Sequence, residues 1–283
     1  MTILRLALML SSSLAAAAGA TVPLSVAETG HVTVPVTIDG KGPFQFVIDS
    51  GAEGTAVYAR FADEQRLATA PSSETLVGQT GTADVALVPL RTLALDGFVS
   101  RDISAVRLAD RGDGLALDGI VGLDVLGDKT VDFDFRRRRV SLRADIAGRP
   151  RPGGIAATRM LGGLLAIPVE VNGARGLAVI DTGARETRVN HRFAQAAGLV
   201  ADAGQAGGTI YGATNAAVEM ASARTRDVTF AGVTLRDRSI RIVDLPVFAQ
   251  FGLADRPAML LGADYLADQR MVIDFRDGRV WMK

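Results

Sequence analysis

The stretch "FVIDSGAEGT", residues 46–55, runs an apolar segment directly into an acidic residue, Asp49, and two small turn-forming residues. The pattern returns at "LAVIDTGARETRV", residues 177–189, where Asp181 follows the same Val-Ile pair and precedes Thr-Gly-Ala instead of Ser-Gly-Ala. One carboxylate at the end of a buried-looking strand reads as an ordinary turn. Two in matching surroundings raise the question of what the pair does.

The matching extends outward. "RFADEQRLA" (60–68) and "RFAQAAGLV" (192–200) lie at the same offset as the two acidic turns. "DGIVGLDVLGDKTVDFDFRRRRVSL" from Asp118 pairs with "AMLLGADYLADQRMVIDFRDGRVWM" from Ala258, equating Gly122 with Gly262 and Asp134-Phe135 with Asp274-Phe275. Upstream of each turn, "VPVTIDGKGPFQFVID" and "IPVEVNGARGLAVID" read as an alternating strand, a Gly-containing turn and a second strand, a hairpin feeding the acidic turn. The chain after its first twenty residues is therefore a tandem duplication. Each copy has short strands punctuated by Gly, Asp and Asn, one helix after the acidic turn and another after the later glycine.

The expected fold is mostly β, with two similar lobes related by pseudo-twofold symmetry. The expected division is an N-terminal lobe over 21–145, a Gly/Pro/Arg-rich linker over 146–163 that breaks the strand pattern, and a C-terminal lobe over 164–283. An approximate twofold axis brings Asp49 and Asp181 together as equivalents.

Two carboxylates within hydrogen-bond reach cannot both ionise cheaply and share a proton. The ionised member can deprotonate a water while the protonated member donates to a carbonyl, which gives amide hydrolysis with no metal, cofactor or covalent intermediate. Ser50 and Thr182 supply hydroxyls able to cross-bond the two turns. Gly51 and Gly183 let backbone approach the carboxylates and donate N–H groups to them.

Those four elements, Val47-Ile48-Asp49-Ser50-Gly51 with Ile120-Val121-Gly122, and Val179-Ile180-Asp181-Thr182-Gly183 with Leu260-Leu261-Gly262, resemble the signature of pepsin-like and retropepsin-like aspartic proteases. The resemblance covers nearly the whole chain after residue 20. It implies a β-rich bilobal fold, a peptide-binding cleft between the lobes, acidic turns pinned by the Gly122 and Gly262 segments, and Asp49 and Asp181 as the catalytic dyad. The residue after each glycine is alanine, Ala52 and Ala184, as in the retropepsin-like branch. With two short, similar lobes the chain looks like a retropepsin dimer fused into one chain, active as a monomer. The missing hydroxyls at 52 and 184 imply weaker stabilisation of the anionic dyad and an activity optimum in the mildly acidic to neutral range. The family covers its cleft with hairpin flaps; the matching segments are "VGQTGTA" (77–83), with Gly78 and Thr80, and "TIYGATN" (209–215), with Tyr211 and Gly212.

Composition narrows the remaining choices. The 283 residues are 48% hydrophobic with 31 basic and 31 acidic residues, enough for a large core and without the charge excess of a nucleic-acid or anionic-membrane binder. "MTILRLALMLSSSLAAAAGA", residues 1–20, reads as a secretory signal ending in Ala18-Gly19-Ala20, with an uncleaved anchor as the alternative. No later stretch is long and apolar enough to span a membrane, and with no cysteine there is no lipid-attachment site or disulfide. A periplasmic or secreted protein acting on peptides or proteins is expected. Asp124, Asp128, Asp132 and Asp134 lack calcium-loop spacing and read as a solvated surface. Arg136–Arg139 reads as a solvated turn. With His31 and His191 the only histidines and no G-x-S-x-G, Ser-His catalysis and histidine-rich zinc sites lack support. A non-catalytic peptide- or ligand-binding module on the same fold remains the alternative. A glycosidase, which needs its carboxylates set apart for a sugar and a water, fits the symmetric turns poorly.

Overall fold

A computed structural model of the chain describes residues 20–73, 75–79, 81–95, 97–144, 153–202, 206–211 and 217–283. Most of the signal segment and residues 146–152 of the expected linker therefore lie outside the described residues.

The chain is mostly β and bilobal. In the first lobe the strand Val32–Ile38 places Val34, Val36 and Ile38 inside, at alternate positions, as a pleated strand must when one face meets a core. It turns through Asp39-Gly40, both at positive φ, into Lys41–Ile48. The second lobe does the same through Asn172-Gly173, from Leu165–Val171 into Ala174–Ile180. These are the residue pairs that a two-residue hairpin turn requires.

Each hairpin feeds a barrel. Lys41–Ile48 pairs in parallel with Gly119–Val121, which pairs with Ala56–Tyr58. The circuit continues through Phe98–Leu108 and Ala86–Leu95 and closes on Val32–Ile38. The second lobe repeats it with Ala258–Leu261, Arg188–Val189, Ser239–Ile242 and Ala217–Arg224. Its long hairpin is broken in two, so that the separate strand Asp227–Phe230 returns to Leu165–Val171.

The run Phe46-Val47-Ile48 is buried throughout because this strand is covered on both faces. Phe46 and Ile48 enter the main core, whereas Val47 faces a second apolar cluster with Ala56, Tyr58, Leu108 and Leu117. Short helices follow the acidic turns, Ala59–Glu64 and His191–Ala196, and the later glycines, Leu123–Leu126 and Ala263–Leu266. A fifth, Pro246–Gln250, has no counterpart in the expected pattern.

The lobes are joined by a six-stranded sheet to which both contribute. At its centre Lys129–Asp134 pairs with Arg270–Asp274, with Thr130 opposite Asp274, Asp132 opposite Val272 and Asp134 opposite Arg270. The repeat equates Thr130 with Arg270 and Asp134 with Asp274, so the register maps onto itself and the pseudo-twofold axis passes between Asp132 and Val272. Part of the junction extends this sheet, through Ile155–Ala156 against Arg279–Met282. The strand pattern therefore resumes inside the expected linker.

This sheet corrects the reading of two of the four aspartates as solvated; Asp124 and Asp128 are exposed. Asp132 and Asp134 are buried, at 5% and 4% exposure. Asp132 accepts two hydrogen bonds from Arg270, at 2.8 and 2.6 Å, and Asp134 is paired with Arg137 and Arg139. Arg136–Arg139 itself is exposed, as expected of a turn. No helix among the described residues is long and apolar enough to cross a membrane.

The Asp132–Arg270 pair is unequal, because the Arg270 side chain is 43% exposed and that of Asp132 only 6%. Freed of its partner, Arg270 can turn to water and Asp132 cannot. Arg270→Ala should therefore cost about 1–3 kcal/mol, more than Asp132→Ala, because it leaves a buried carboxylate unpaired. Urea unfolding of the two variants checks the order.

Candidate active site

Each acidic loop leaves its barrel where a central strand ends, and a second segment pins it. The Asp49 amide donates to Val121 O at 3.0 Å and the Asp181 amide to Leu261 O at 3.1 Å. Beyond these, Leu123 N donates to Ala52 O and Ala263 N to Ala184 O. The Gly122 and Gly262 amides donate to the hydroxyls of Thr55 and Thr187. Those threonines are held in turn by Asp124, which accepts from Thr55 N and Oγ1 at 3.0 and 2.8 Å, and by Asp264, which accepts from Thr187 N and Oγ1 at 2.8 and 2.7 Å. Asp124 is thus a clamp on the first loop as well as a surface residue. The shared position of Asp124 and Asp264 in the repeat was the available signal.

The loops meet on the axis. Ser50 Oγ donates to Ile180 O at 2.9 Å and accepts from Thr182 N at 3.1 Å. Thr182 Oγ1 donates to Ile48 O at 2.7 Å and accepts from Ser50 N at 3.0 Å. Each hydroxyl holds the other lobe's backbone at both a donor and an acceptor. Both residues are 1% exposed, so water cannot replace these bonds.

The same approach explains the glycines. A Cβ on Gly51 would lie 2.6 Å from Asp181 Cγ, and one on Gly183 would lie 2.2 Å from Asp49 Oδ2. Each carboxylate therefore rests on the glycine of the opposite loop. Asp49 and Asp181 hydrogen-bond to each other. The Gly51 amide donates to Asp49 Oδ1 at 2.7 Å, the Ala184 amide to Asp181 Oδ1 at 2.8 Å, and Gly183 contributes a further amide.

Burial first, and then the charge of Asp181, hold Asp49 well above the usual carboxylate range. Burial also raises Asp181, but the Arg188 guanidinium and the bond from Asp49 pull it back. The two carboxyls titrate as one coupled pair, and the Arg188 guanidinium, which stands beside Asp181, favours the charge on that member. Burial leads the upward shift of both carboxyls.

A cleft of about 480 Å3 opens over the pair. The hairpin Thr75–Gly78 with Gly81–Asp84 forms part of its wall, touching helix Pro246–Gln250 of the opposite lobe. Gly78 lines the cleft. Gln79 next to it, which sequence reasoning passed over, donates from Nε2 to Asp181 Oδ2 at 2.7 Å and accepts from Arg188 Nη1 at 3.3 Å. Thr80 and Gly212 lie outside the described residues, and Tyr211 ends the strand Ala206–Tyr211 opposite Ala217.

Arg188 was missed too, although an arginine at a position where the other copy has Ala56 in a central strand was a visible anomaly. His31 lines the cleft with its Nδ1 2.8 Å from Thr29 Oγ1. Burial and the nearby Arg111, Arg185 and Arg188 push it down to about 3, so it is neutral at ordinary pH. No group of three or more potential metal ligands occurs among the described residues.

Among known proteins, a family model described as "Aspartyl protease" matches residues 34–125 and again 167–265, once in each copy. No curated protein matches the chain.

Thr182→Val keeps the shape of the side chain but leaves Ile48 O and Ser50 N unpaired in a buried site. It should cost about 2–4 kcal/mol, measurable by urea unfolding, with Ser50→Ala behaving similarly because the bonds are reciprocal.

Proposed function

The chain belongs to the aspartyl protease family, and on that premise we propose that it is a peptidase in which Asp181 and Asp49 act as general base and general acid on either side of one water. The observation that carries this reading is the reciprocal Ser50–Thr182 lock, which presents two hydrogen-bonded carboxyl groups of unequal acidity to a cleft. Asp181, kept ionised beside Arg188, takes a proton from water as its oxygen attacks the peptide carbonyl carbon. Asp49 gives its proton to the carbonyl oxygen. Collapse of the tetrahedral species breaks the C–N bond as Asp181 passes its proton to the nitrogen and a diol hydroxyl returns one to Asp49, which restores the starting state.

Gln79 occupies the outer oxygen of Asp181, so it withdraws or turns its amide to substrate before the reaction. Segment 1–20 supports export, and with it a periplasmic or secreted place of action.

Asp49→Asn and Asp181→Asn should each lower kcat by about 10²–10⁴-fold or more on a peptide substrate. Near-native turnover by either variant would exclude the shared-dyad mechanism. The same Asp49→Asn protein tests the raised pKa of Asp49 through stability. A carboxyl whose folded pKa is raised binds its proton more tightly in the folded state, so stability falls as pH rises from the unfolded pKa, about 3.9, towards the raised folded one. The variant should match the wild type below that window and become relatively more stable across it, read as the difference in urea midpoint against pH.

Since one chain carries both acids, activity belongs to the monomer and specific activity should not change on dilution. A concentration-dependent fall that tracks dissociation of a dimer by light scattering would reverse that assignment.

A further inference from the structure

The cleft breaks the twofold symmetry of the fold in one chemical respect. Where the second lobe presents Arg185 and Arg188, the repeat places Glu53 and Ala56 in the first. Glu53 is exposed and Ala56 belongs to the apolar cluster with Val47, Tyr58, Leu108 and Leu117, so the first lobe offers an apolar wall. The second offers guanidinium groups.

Arg188 is only 3% exposed, and its Nε has no hydrogen-bond partner among the described residues. Its counter-charges include Asp181 and Glu186, but the oxygens of Asp181 accept from Gln79 Nε2 and the Ala184 amide and Glu186 accepts from Arg241 Nη2 and Nε at 2.7 and 3.0 Å. Its contact with Gln79 is made to a neutral amide at 3.3 Å. Arg185 donates to Thr29 O and is half-buried at the same wall. Arg111, also in the cleft, is already paired with Asp113. A buried guanidinium with an idle donor is costly unless something else completes it, and its planar fork suits a carboxylate. Burial first, and then Arg111, Arg185 and Arg188, lower His31 in the same cleft.

We propose that the second-lobe half of the cleft is a subsite for an acidic side chain, read by Arg188 with help from Arg185, facing an apolar subsite in the first lobe. The bond that is cut then lies between an apolar position on one side and an aspartate or glutamate on the other. This rests on the peptidase reading, and it makes the specificity directional although the fold is nearly symmetric.

The test uses octapeptides with Phe or Leu fixed at one central position and Asp, Asn, Glu or Gln placed at each other position in turn. The full chain should cleave the acid-bearing member of each pair about 10- to 100-fold faster in kcat/KM than the amide, on one side of the bond only. Arg188→Met should bring the ratio to about 1, Arg188→Lys should restore part of it, and Arg185→Met should reduce it less. The ratio compares two substrates on one protein, so a general loss of activity in a variant does not move it. If Arg188→Met does not fold, the Arg188→Lys and Arg185→Met ratios decide. Binding of the same peptides to Asp49→Asn, followed by calorimetry, separates the two readings. Tighter binding of acidic peptides without turnover by the wild type would uphold the subsite and end the peptidase reading. Turnover with equal ratios, or a preference that survives Arg188→Met, would overturn the subsite and leave the peptidase reading intact. Neither turnover nor an acid preference in binding would overturn both.

Discussion

Four hydrogen bonds between Ser50 and Thr182 and the backbone of the opposite loops hold the centre of this molecule. Two carboxyl groups will not settle against each other unaided, because burial and mutual repulsion both oppose it. The loops can carry Asp49 and Asp181 into contact because each hydroxyl satisfies a donor and an acceptor of the other loop, and because glycine leaves room for the opposing carboxylate. Much of the surrounding structure supports that contact. The Gly122 and Gly262 segments bind the loops from behind, and Asp124 and Asp264 bind the threonines that receive those glycine amides.

A second set of contacts brings the lobes to the right distance. The central strands of the six-stranded sheet pair in a register that maps onto itself, so the same operation that superposes the barrels superposes the acidic loops. Buried Asp132, held by Arg270, lies beside the axis. The sheet and the loop lock are two points on one axis, and together they limit how far the lobes can rock.

The symmetry is then broken where chemistry needs a direction. Arg188 stands where the other copy has Ala56, and its charge favours ionisation of one carboxyl, Asp181, over the other. Without such a cation the proton would be shared between equivalent groups. The flap breaks the symmetry again, since Gln79 of the first lobe reaches Asp181 and Arg188 of the second. The buried arginine and the buried carboxyl pair both work against folding at neutral pH, which the large twin cores offset.

Much of this was legible in the sequence because it depends on local pattern. The alternation in Val32–Ile38, the Asp-Gly and Asn-Gly turns and the duplicated Asp-Ser/Thr-Gly motifs each specify backbone geometry within a few residues, and duplication supplied the twofold axis. Gln79 was not legible, because a polar residue at a hairpin tip looks the same whether it meets water or Asp181. Nor was the burial of Asp132 and Asp134, since an aspartate in an alternating strand reads as outward-facing until another lobe is laid against it. Sequence by itself determined which residues form the two loops and that the loops are equivalent. Tertiary structure alone decided which carboxyl faces a cation, because that depends on a charge seven residues along one copy being folded back, out of water, beside its own aspartate.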